Sequence, residues 1–357
     1  MANRLISFGH EVRLLVDPST PSRSTRWIYG HLSDAAVRIG ERPGSSLVRG
    51  IERLPGRRSV PDQIDGLAHL STPIPENAAE RAIDSFRPDL VVGSSILRLS
   101  WRKIRVRCES RGIPTILYIR EQEAMNHFEA DCPPADVIVA NAESLASVIS
   151  GRGVPCAFVP SVVETSTTST NSARTHALAI NPIESRGIGT VFEAASRLPD
   201  IRFIVQESWP LTSEQLQSLA GKIARLDNVE FRRAEPPGPQ LYRVARTLLV
   251  PYRIDNRPRV IAEAQANGIP VVAGEVPALV EAIGEGGLRV PLDDIDRWCA
   301  ALELLWNDDE QYEALSAAAL THSRRPEIDP EAVARSFEHI ALDLLARGTG
   351  FDDEDSP

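Results

Sequence analysis

The sequence contains little sulfur, with four cysteines and two methionines among its 357 residues. The cysteines at positions 108, 132, 156 and 299 lack the spacing of a metal site and are too few for a disulfide framework. Scattered single thiols are typical of the reducing cytoplasm. No apolar run approaches the roughly 18 residues of a membrane span, and no signal peptide is visible. We therefore expect a cytoplasmic protein.

An excess of basic residues is also missing. The formal net charge is −10, and residues 166–357 carry nearly all of it because residues 1–165 are close to neutral. An acidic second half argues against nucleic-acid binding. The length is sufficient for two domains, and two halves of unlike charge suggest two domains with separate tasks.

Short apolar runs alternate with helical patterns along most of the chain. This alternation predicts an α/β fold whose parallel sheets are covered on both faces. The region 20–72 is rich in Arg, Ser, Pro and Gly, and long loops are expected there. Strands are predicted at 11–17, 88–95, 114–119, 135–141, 156–161, 177–181, 202–208, 229–233, 247–252 and 269–274, and helices at 76–86, about 187–197, 213–225, 238–246 and 258–267.

The domain organisation follows from the same pattern. Residues 1–164 are predicted to form one Rossmann-like domain and residues 177–325 a second. The segment TSTTSTNSARTH, residues 165–176, is polar and without periodicity, which indicates a linker. Residues 326–348 contain an amphipathic helix, and residues 349–357 are an acidic tail. Two such domains in tandem place a ligand cleft between their sheets.

Two acids near position 260 are the first candidate functional residues. Asp255 and Glu263 flank Pro258, which suits the first turn of a helix, and Gly268 suits the residue after its end. The free N–H groups of a helix start bind anions, and carboxylates accept hydrogen bonds from sugar hydroxyls. This arrangement fits a nucleotide-sugar. The alternative is that Asp255 complements the helix dipole and Glu263 is solvated.

The surrounding segment TLLVPYRIDNRPRVIAEAQANGIPVVAG resembles the signature of retaining glycosyltransferases of family 4, which have the two-domain GT-B fold. That family carries two Glu residues separated by seven positions, then Gly-x-Pro-Val-Val. Glu263 matches the second acid, and Asp255 stands at the position of the first. The resemblance extends over almost the whole chain, including FGHEVRLLVD, ADVIVANAESLASVI and a closing helix that crosses back to the first domain.

The resemblance implies a function and a donor site. The chain would transfer a sugar from a nucleotide-sugar donor to an unknown acceptor with retention of configuration. Glu263 would bind the ribose and Asp255 the donor sugar, while Arg186 and the helix start at Pro258 and Arg259 would meet the diphosphate. Gly274 survives from a glycine-rich loop. The family needs no metal and no cofactor, since the nucleotide-sugar is a substrate.

Several positions depart from the family pattern. Members pair an Arg with a Lys five residues later, whereas Asn181 and Arg186 stand at those positions here. Loss of one cation weakens stabilisation of the leaving group. Gln206, Glu207 and Ser208 replace a glycine-rich turn, and Glu207 would repel a diphosphate unless it faces away.

The loop YIREQEAMNHF, residues 118–128, follows a predicted strand and therefore faces the cleft. Related enzymes place polar or histidine residues here. Arg120 and Glu121 are candidates for the acceptor side, and Glu123 and His127 join Asp255 as candidate catalytic residues. The alternative for His127 is a structural or exposed position.

The opening strand of the family and its glycine-rich loop are missing, because the chain begins with a helix ending at Gly9. Either the sequence starts too late, or part of the acceptor site has been lost. The alternative function is therefore a catalytically impaired relative that binds a nucleotide-sugar or a partner protein. A nucleotide-sugar epimerase is a third possibility, and the order of motifs speaks against it.

Two further patterns have simple explanations. Asp294-Ile-Asp296 matches the Asp-x-Asp of metal-dependent glycosyltransferases, but its place at a helix start favours capping, and no metal is expected. The basic helix at 98–107 could dock on anionic lipid at the inner membrane face, which suits a lipid-linked acceptor, or could be an ordinary solvated helix. A small molecule and a glycan are the other acceptor classes.

Overall fold

The computed structural model describes residues 1–16, 60–64, 67–71, 75–94, 96, 98–121, 135–208, 211–234 and 238–348. These residues form two compact units. The smaller unit draws on Ala2–Val91 and Ile96–Pro114, and the larger draws on Val92–Ser95 and Thr115–Pro357 with Met1. The domain boundaries predicted from the sequence remain a prediction.

The smaller unit contains a three-stranded sheet. Its strands are β1 (Leu14–Val16), β2 (Val60–Ile64) and β3 (Leu67–Ser71), in the order β1-β3-β2. Strand β3 runs parallel to β1 and antiparallel to β2. The prediction of loops over 20–72 is therefore wrong for 60–71, because the alternation in LAHLS supports a strand despite the proline in VPDQI.

The described residues of this unit also form the helices α1 (Ala2–Ser7), α2 (Pro75–Phe86) and α3 (Arg98–Glu109). Trp101, Ile104 and Cys108 on α3 are buried at helical spacing, as the sequence indicates. The basic side chains of α3 point elsewhere. Lys103 pairs with Glu76 at 3.1 Å and Arg107 with Glu80 at 2.9 Å, so part of the positive charge is neutralised by α2.

The larger unit contains two parallel sheets. The first has strands β4 (Val91–Ser94), β5 (Thr115–Ile119), β6 (Val137–Ala140) and β7 (Cys156–Phe158), side by side in chain order. Helix α4 (Glu143–Ser150) connects β6 and β7. Strand β5 is buried on both faces, which explains why its sequence TILYI is an apolar run rather than an alternating pattern.

The second sheet has six parallel strands in the order β10-β9-β8-β11-β12-β13. This order reverses between β8 and β11, as in a doubly wound fold, and ligands of such sheets bind at the reversal. One buried apolar cluster covers each face of the sheet. The strands are β8 (His176–Ile180), β9 (Phe203–Gln206), β10 (Val229–Arg232), β11 (Ala245–Val250), β12 (Val271–Gly274) and β13 (Gly287–Val290).

Seven helices follow or connect these strands. The predicted helices at 187–197, 213–225 and 258–267 are confirmed within a few residues. The helices are α5 (Ile188–Arg197), α6 (Ser213–Ile223), α7 (Arg259–Ala266), α8 (Pro277–Ile283), α9 (Ile295–Asn307), α10 (Asp309–His322) and α11 (Pro330–Gly348).

The predicted helix at 238–246 is wrong. Pro239–Leu241 form a single 3₁₀ turn, and β11 begins at Ala245 with an irregularity in its pairing with β8 before Thr247. The apolar residues that suggested one helix lie in two different elements, a turn and a strand. Tyr242 is buried under α7, whereas Ala245 starts the central strand.

The polar segment predicted as a linker is fixed to the second sheet. Thr165–Thr168 form a 3₁₀ helix, and Asn267 at the end of α7 holds both ends of the turn that follows. Its side-chain amide donates to the Thr168 carbonyl at 3.2 Å, and its oxygen accepts from the Thr170 amide at 2.7 Å. The polar composition of this segment therefore serves backbone hydrogen bonding as well as solvation.

The closing helix α11 returns to the first parallel sheet. Val333, Ala334 and Phe337 are buried on one face, and the Phe337 ring lies 6.3 Å from the Tyr118 ring on β5. This contact agrees with the predicted crossover.

Substitution of Gly187, between β8 and α5, tests the close approach of this loop to Pro251. The φ of Gly187 is +71°, and a Cβ at this position would overlap the main-chain carbonyl of Pro251. We expect Gly187→Ala to lower the free energy of unfolding by about 2–4 kcal/mol, from backbone strain and overpacking. Urea denaturation of the purified chain measures this change.

Gly221→Ala is the matched control for Gly187→Ala. Gly221 lies in α6, and a Cβ there would meet no atom within 4 Å. Alanine in a helix interior should stabilise by about 0.5–1 kcal/mol. Equal midpoints for the two variants would contradict the close approach at Gly187.

Candidate functional site

The loop after β8 is shaped by Asn181, which occupies the position of the missing arginine. Asn181 is buried and has a φ of +64°, a conformation that Asn tolerates better than most residues. The backbone N–H of Asn181 donates to the Gln206 backbone carbonyl at 2.9 Å, and the Asn181 side-chain oxygen accepts from the Ser208 hydroxyl. Asn181 therefore fixes the loop that leads to Arg186.

Arg186 is the most distinctive residue of this loop. Its side chain is 9% exposed, and its guanidinium lies 4.6 Å above the Tyr252 ring. Its Nη2 contacts Glu121 Oε1 at 3.1 Å, while Nε and Nη1 are buried without a hydrogen-bond partner. A buried donor that is left unpaired costs about 1–3 kcal/mol. Within the described part of the chain, two buried N–H groups of Arg186 are therefore left unpaired.

Glu121, which pairs with Arg186, follows β5 of the first parallel sheet. Its main chain forms an antiparallel bridge with Asn256, the residue after Asp255. Its side chain is 42% exposed. The structure thus brings together Glu121, Arg186 and the Asp255 loop. Arg120 is partly buried beside Glu121, whereas the candidate catalytic residues Glu123 and His127 lie outside the described residues.

Glu263 lies in the second turn of α7, as the sequence predicts. Its Oε2 accepts a hydrogen bond of 2.7 Å from the hydroxyl of Tyr242, which is fully buried. Burial, together with the neighbouring Glu263 carboxylate, raises the pKa of Tyr242 well above its ordinary value. The tyrosine therefore remains a hydrogen-bond donor at all physiological pH values and fixes the orientation of the carboxylate.

Asp255 caps a helix, but a different helix from the expected one. Its Oδ1 accepts from the Ala278 amide at 2.9 Å, in the first turn of α8 rather than of α7. Burial raises the pKa of Asp255, the Ala278 amide lowers it, and the Glu281 carboxylate raises it. Asp255 therefore caps the start of α8 through one of its carboxylate oxygens.

Pro258 and Arg259 start α7, with a shift of one residue from the prediction. Pro258 is the N-cap, with φ −76° and ψ 136°, and the helix begins at Arg259, which is exposed. Gly268 has a φ of +66° just past the helix end, as predicted. The free amides of the first turn therefore lie immediately after the Asp255 loop.

Gly274 and Glu207 have structural explanations. A Cβ at Gly274 would overlap the Leu292 side chain, so this end of β12 requires glycine for packing. Glu207 is buried, and its carboxylate accepts from the amides of Leu211 at 2.7 Å and Ala234 at 3.0 Å. The glutamate is thus committed to the loop after β9, together with an ion pair to Arg233 at 3.1 Å.

Sequence reasoning missed Glu281, which joins the two parallel sheets. Its carboxylate accepts from the Glu143 amide at 2.9 Å and the Ser144 amide at 2.5 Å, the first turn of α4. It also lies 3.8 Å from Arg257. No side chain of α4 itself caps this helix start. The absence of Ser, Thr or Asp before Glu143 was the signal that a cap must come from elsewhere.

The Asp-x-Asp motif has the capping role predicted for it. Asp294 Oδ1 accepts from the Arg297 amide at 3.1 Å, and Asp296 pairs with Arg197 at 2.7 Å. Within the described residues, no group of three or more His, Cys, Asp or Glu side chains could hold a metal ion. None of the described helices is both long and apolar enough to cross a membrane.

The bond between Tyr242 and Glu263 can be tested by stability. A hydrogen bond to a charged group contributes about 1.5–3 kcal/mol, against about 0.5–1.5 kcal/mol for a neutral one. Tyr242→Phe should therefore lower the free energy of unfolding by about 1.5–3 kcal/mol, as measured by urea denaturation.

Tyr312→Phe is the neutral comparison, because the buried Tyr312 hydroxyl donates to the Arg246 carbonyl at 3.1 Å. This change should cost about 0.5–1.5 kcal/mol. A smaller loss in Tyr242→Phe than in Tyr312→Phe would show that the Glu263 bond is not charge-assisted.

Known proteins resemble this chain most clearly in the second sheet. Residues 177–308 match the family model described as glycosyl transferases group 1. D-inositol 3-phosphate glycosyltransferases of Thermobispora bispora and Thermomonospora curvata are each 37% identical, over 114 and 118 residues. These matches cover 30% and 31% of this chain and 27% of each relative. The chain thus spans about a quarter of the length of the curated relatives it matches.

Solved structures resemble the chain over a longer range. Sucrose-phosphate synthase from Thermosynechococcus elongatus superposes with a TM-score of 0.69, covering 94% of this chain and 99% of that one at 14% identity. A glycosyltransferase from Rickettsia africae gives 0.63, covering 93% and 98% at 12% identity. Anabaena HepE in complex with UDP gives 0.62, covering 75% and 81% at 14% identity.

At these identities the solved structures establish the fold, and the family model identifies the region around the two acids. The parallel sheets, the doubly wound strand order and the returning closing helix agree with that assignment. Residues 177–308 are therefore similar to a glycosyl transferases group 1 domain, in a chain that has the GT-B fold.

Proposed function

We propose that the protein transfers a sugar from a nucleotide-sugar to an acceptor, with retention of configuration and without a metal. The observation that carries this proposal is the buried Arg186, whose Nε and Nη1 have no hydrogen-bond partner among the described residues. An anionic group beside either N–H group would accept a charge-assisted hydrogen bond, and a diphosphate supplies such oxygens.

The two acids support the remainder of the donor. Arg186 stacks on Tyr252, which belongs to the same buried cluster as Tyr242, the partner of Glu263. A diphosphate on Arg186 would therefore lie near an oriented carboxylate suited to ribose hydroxyls. Asp255, beside Asn256 and the Glu121 bridge, would accept from hydroxyls of the donor sugar.

The protein would assist the reaction chiefly by stabilising the departing diphosphate, because such preorganised charge contributes most in a partly buried site. Arg186 and the free amides after Pro258 would supply this stabilisation. Arg120 and Glu121 would face the acceptor, with Glu123 and His127 as further catalytic candidates. No covalent nucleophile is needed in this scheme.

One observation favours the alternative of an impaired, ligand-binding relative. The Glu121 carboxylate occupies one end of Arg186, and Asn181 holds Ser208 where family members carry a second cation. A site with one cation, already paired with a carboxylate, would stabilise a leaving diphosphate less well. Release of nucleoside diphosphate from a nucleotide-sugar panel, followed by mass spectrometry, distinguishes turnover from binding alone.

The acceptor is the least constrained part of the proposal. The curated relatives match this chain over 27% of their length, and the family match falls on the donor side. A small molecule, a glycan and a lipid-linked acceptor all stay within the proposal. Contact of α3 with an anionic membrane at the cytoplasmic face would use exposed residues such as Arg102, since Lys103 and Arg107 are paired.

The donor-site proposal predicts separate effects on phosphate and nucleoside recognition. We expect Arg186→Met to weaken binding of UDP, or of the diphosphate found to bind in a panel, by about tenfold to hundredfold. Binding of the corresponding nucleoside should be unchanged, because Arg186 contacts only the phosphates. Glu263→Gln should weaken both ligands. Isothermal titration calorimetry measures all four affinities.

Arg253→Met is the matched control, because Arg253 is an exposed arginine paired with Asp293 at 2.7 Å. This variant should bind the diphosphate like the wild type. Undiminished diphosphate binding by Arg186→Met would refute the assignment of the anion site.

Asp255→Asn tests the sugar contact. Asparagine can still accept the Ala278 hydrogen bond, so the start of α8 should be retained. Affinity for the nucleotide-sugar should fall, while affinity for the nucleoside diphosphate should not, because the proposed contact is to the sugar alone. Equal affinity of wild type and variant for the nucleotide-sugar would remove Asp255 from the donor site.

A further inference from the structure

A cavity of about 30 Å³ lies beside α7 and is lined by three arginines. Arg257 and Arg259 come from the start of α7, and Arg325 comes from the segment between α10 and α11. Pro160 and Ser161, from the chain that leaves β7, form another wall. The cavity thus lies beside the two segments that connect the parallel sheets, one after β7 and the other before α11.

The arginines of this cavity have too little negative charge around them. Glu281 lies 3.8 Å from Arg257, but its oxygens already accept the Glu143 and Ser144 amides. Glu143 adds weaker attraction to Arg257, and Glu327 adds attraction to Arg325. Among the described residues, neither Arg259 nor Arg325 forms an ion pair within 4 Å.

The titration behaviour of the neighbouring groups agrees with this excess of positive charge. Burial lowers the pKa of Arg325 to about 10, and the nearby Arg257 lowers it further than Glu327 raises it. Burial also lowers the pKa of Arg257. His322 next to them has a lowered pKa, from burial and from both arginines, and so adds little charge at neutral pH.

We propose that this cavity binds a single tetrahedral oxyanion, the phosphate of a small phosphomonoester or free phosphate, through Arg257, Arg259 and Arg325. Guanidinium groups match phosphate oxygens in bidentate geometry, and an anion would relieve the repulsion between the cations. The Ser161 hydroxyl can contribute a further hydrogen bond. The small volume, about two to three times the minimum for one water molecule, suits one oxyanion rather than a nucleotide.

This cavity shares Pro258 and Arg259 with the proposed donor site, but it does not include the anion site proposed at Arg186. Arg186 does not line the cavity, and its guanidinium is held by Glu121 and Tyr252. A bound anion would connect the chain after β7 and the segment before α11 to the start of α7. Its occupancy would therefore stabilise both chain passages between the sheets.

Titration calorimetry of the full chain with inorganic phosphate tests the proposal, at constant ionic strength maintained with chloride. Wild type should bind saturably, and Arg325→Met should bind about tenfold to hundredfold more weakly. Methionine keeps most of the aliphatic stem, and Arg325→Lys, which retains a cation, should lose less. A melting-temperature rise with phosphate in wild type, reduced in Arg325→Met, is the second readout.

Two control variants separate the cavity from other sites. Arg324→Met removes the exposed arginine next in sequence, outside the cavity, and should bind phosphate like wild type. Arg186→Met removes the anion site proposed for the donor and should still leave one saturable phosphate site, because Arg186 does not line the cavity. Absence of saturable binding in wild type, unchanged affinity in Arg325→Met, or loss in Arg186→Met alone would each overturn the proposal.

Glycerol 3-phosphate, titrated in parallel, distinguishes the source of the anion. Tighter binding than inorganic phosphate would assign the site to a phosphomonoester, and equal or weaker binding would assign it to free phosphate. Both results keep the oxyanion site, provided that Arg325→Met binds each ligand more weakly than the control variants do.

Discussion

The burial of the Arg186 guanidinium is the constraint around which the edge of the second sheet is arranged. A nearly buried cation requires an aromatic face, a carboxylate or an anion close by. Tyr252 supplies the face and Glu121 supplies the carboxylate, one from each parallel sheet. The loop that presents Arg186 is then held by Asn181 and by the close approach of Gly187 to Pro251.

Carboxylates accept hydrogen bonds from backbone amides at several other places in the structure. Asp255 accepts from the start of α8, Glu281 from the start of α4, and Glu207 from two loop amides. Asp255 and Glu281 lie far in sequence from the amides they satisfy, whereas Glu207 serves one amide nearby in sequence, Leu211, and one distant amide, Ala234. Because the distant amides have no local side-chain partner, the acids that serve them cannot be identified from neighbouring residues. The second half of the chain thus uses its acidic excess partly as backbone hydrogen-bond acceptors.

The elements that could be predicted from the sequence are those with a strong local pattern. The strands of the second sheet are continuous apolar runs, and α7 has a proline at its start and a glycine beyond its end. The failures lie where tertiary contacts override local pattern: Tyr242 satisfied a helical period, yet it belongs to a turn under α7. The antiparallel strands at 60–64 and 67–71 were hidden by a composition typical of loops.

The site could be predicted only as far as the resemblance identified positions. Glu263, Arg186 and Asn181 stand where the motif places them, but their partners do not follow from spacing. Tyr242 and Tyr252 precede α7 by different distances, and only the fold brings them beside Glu263 and Arg186. Asp255 lies at a position of the motif, but its capping of α8 could not be predicted from the motif.

The hydrogen bond from Tyr242 to Glu263 makes one carboxylate serve both the fold and the proposed donor site. Replacement of Glu263 by aspartate would shorten the side chain by one methylene and break its hydrogen bond with the buried Tyr242 hydroxyl. In a lineage that abandons sugar transfer, purifying selection for folding would therefore still preserve this acid. Paralogues without activity would then keep Glu263 because the fold needs it. Arg186 would be replaced earlier, because a buried cation without a bound anion destabilises the protein.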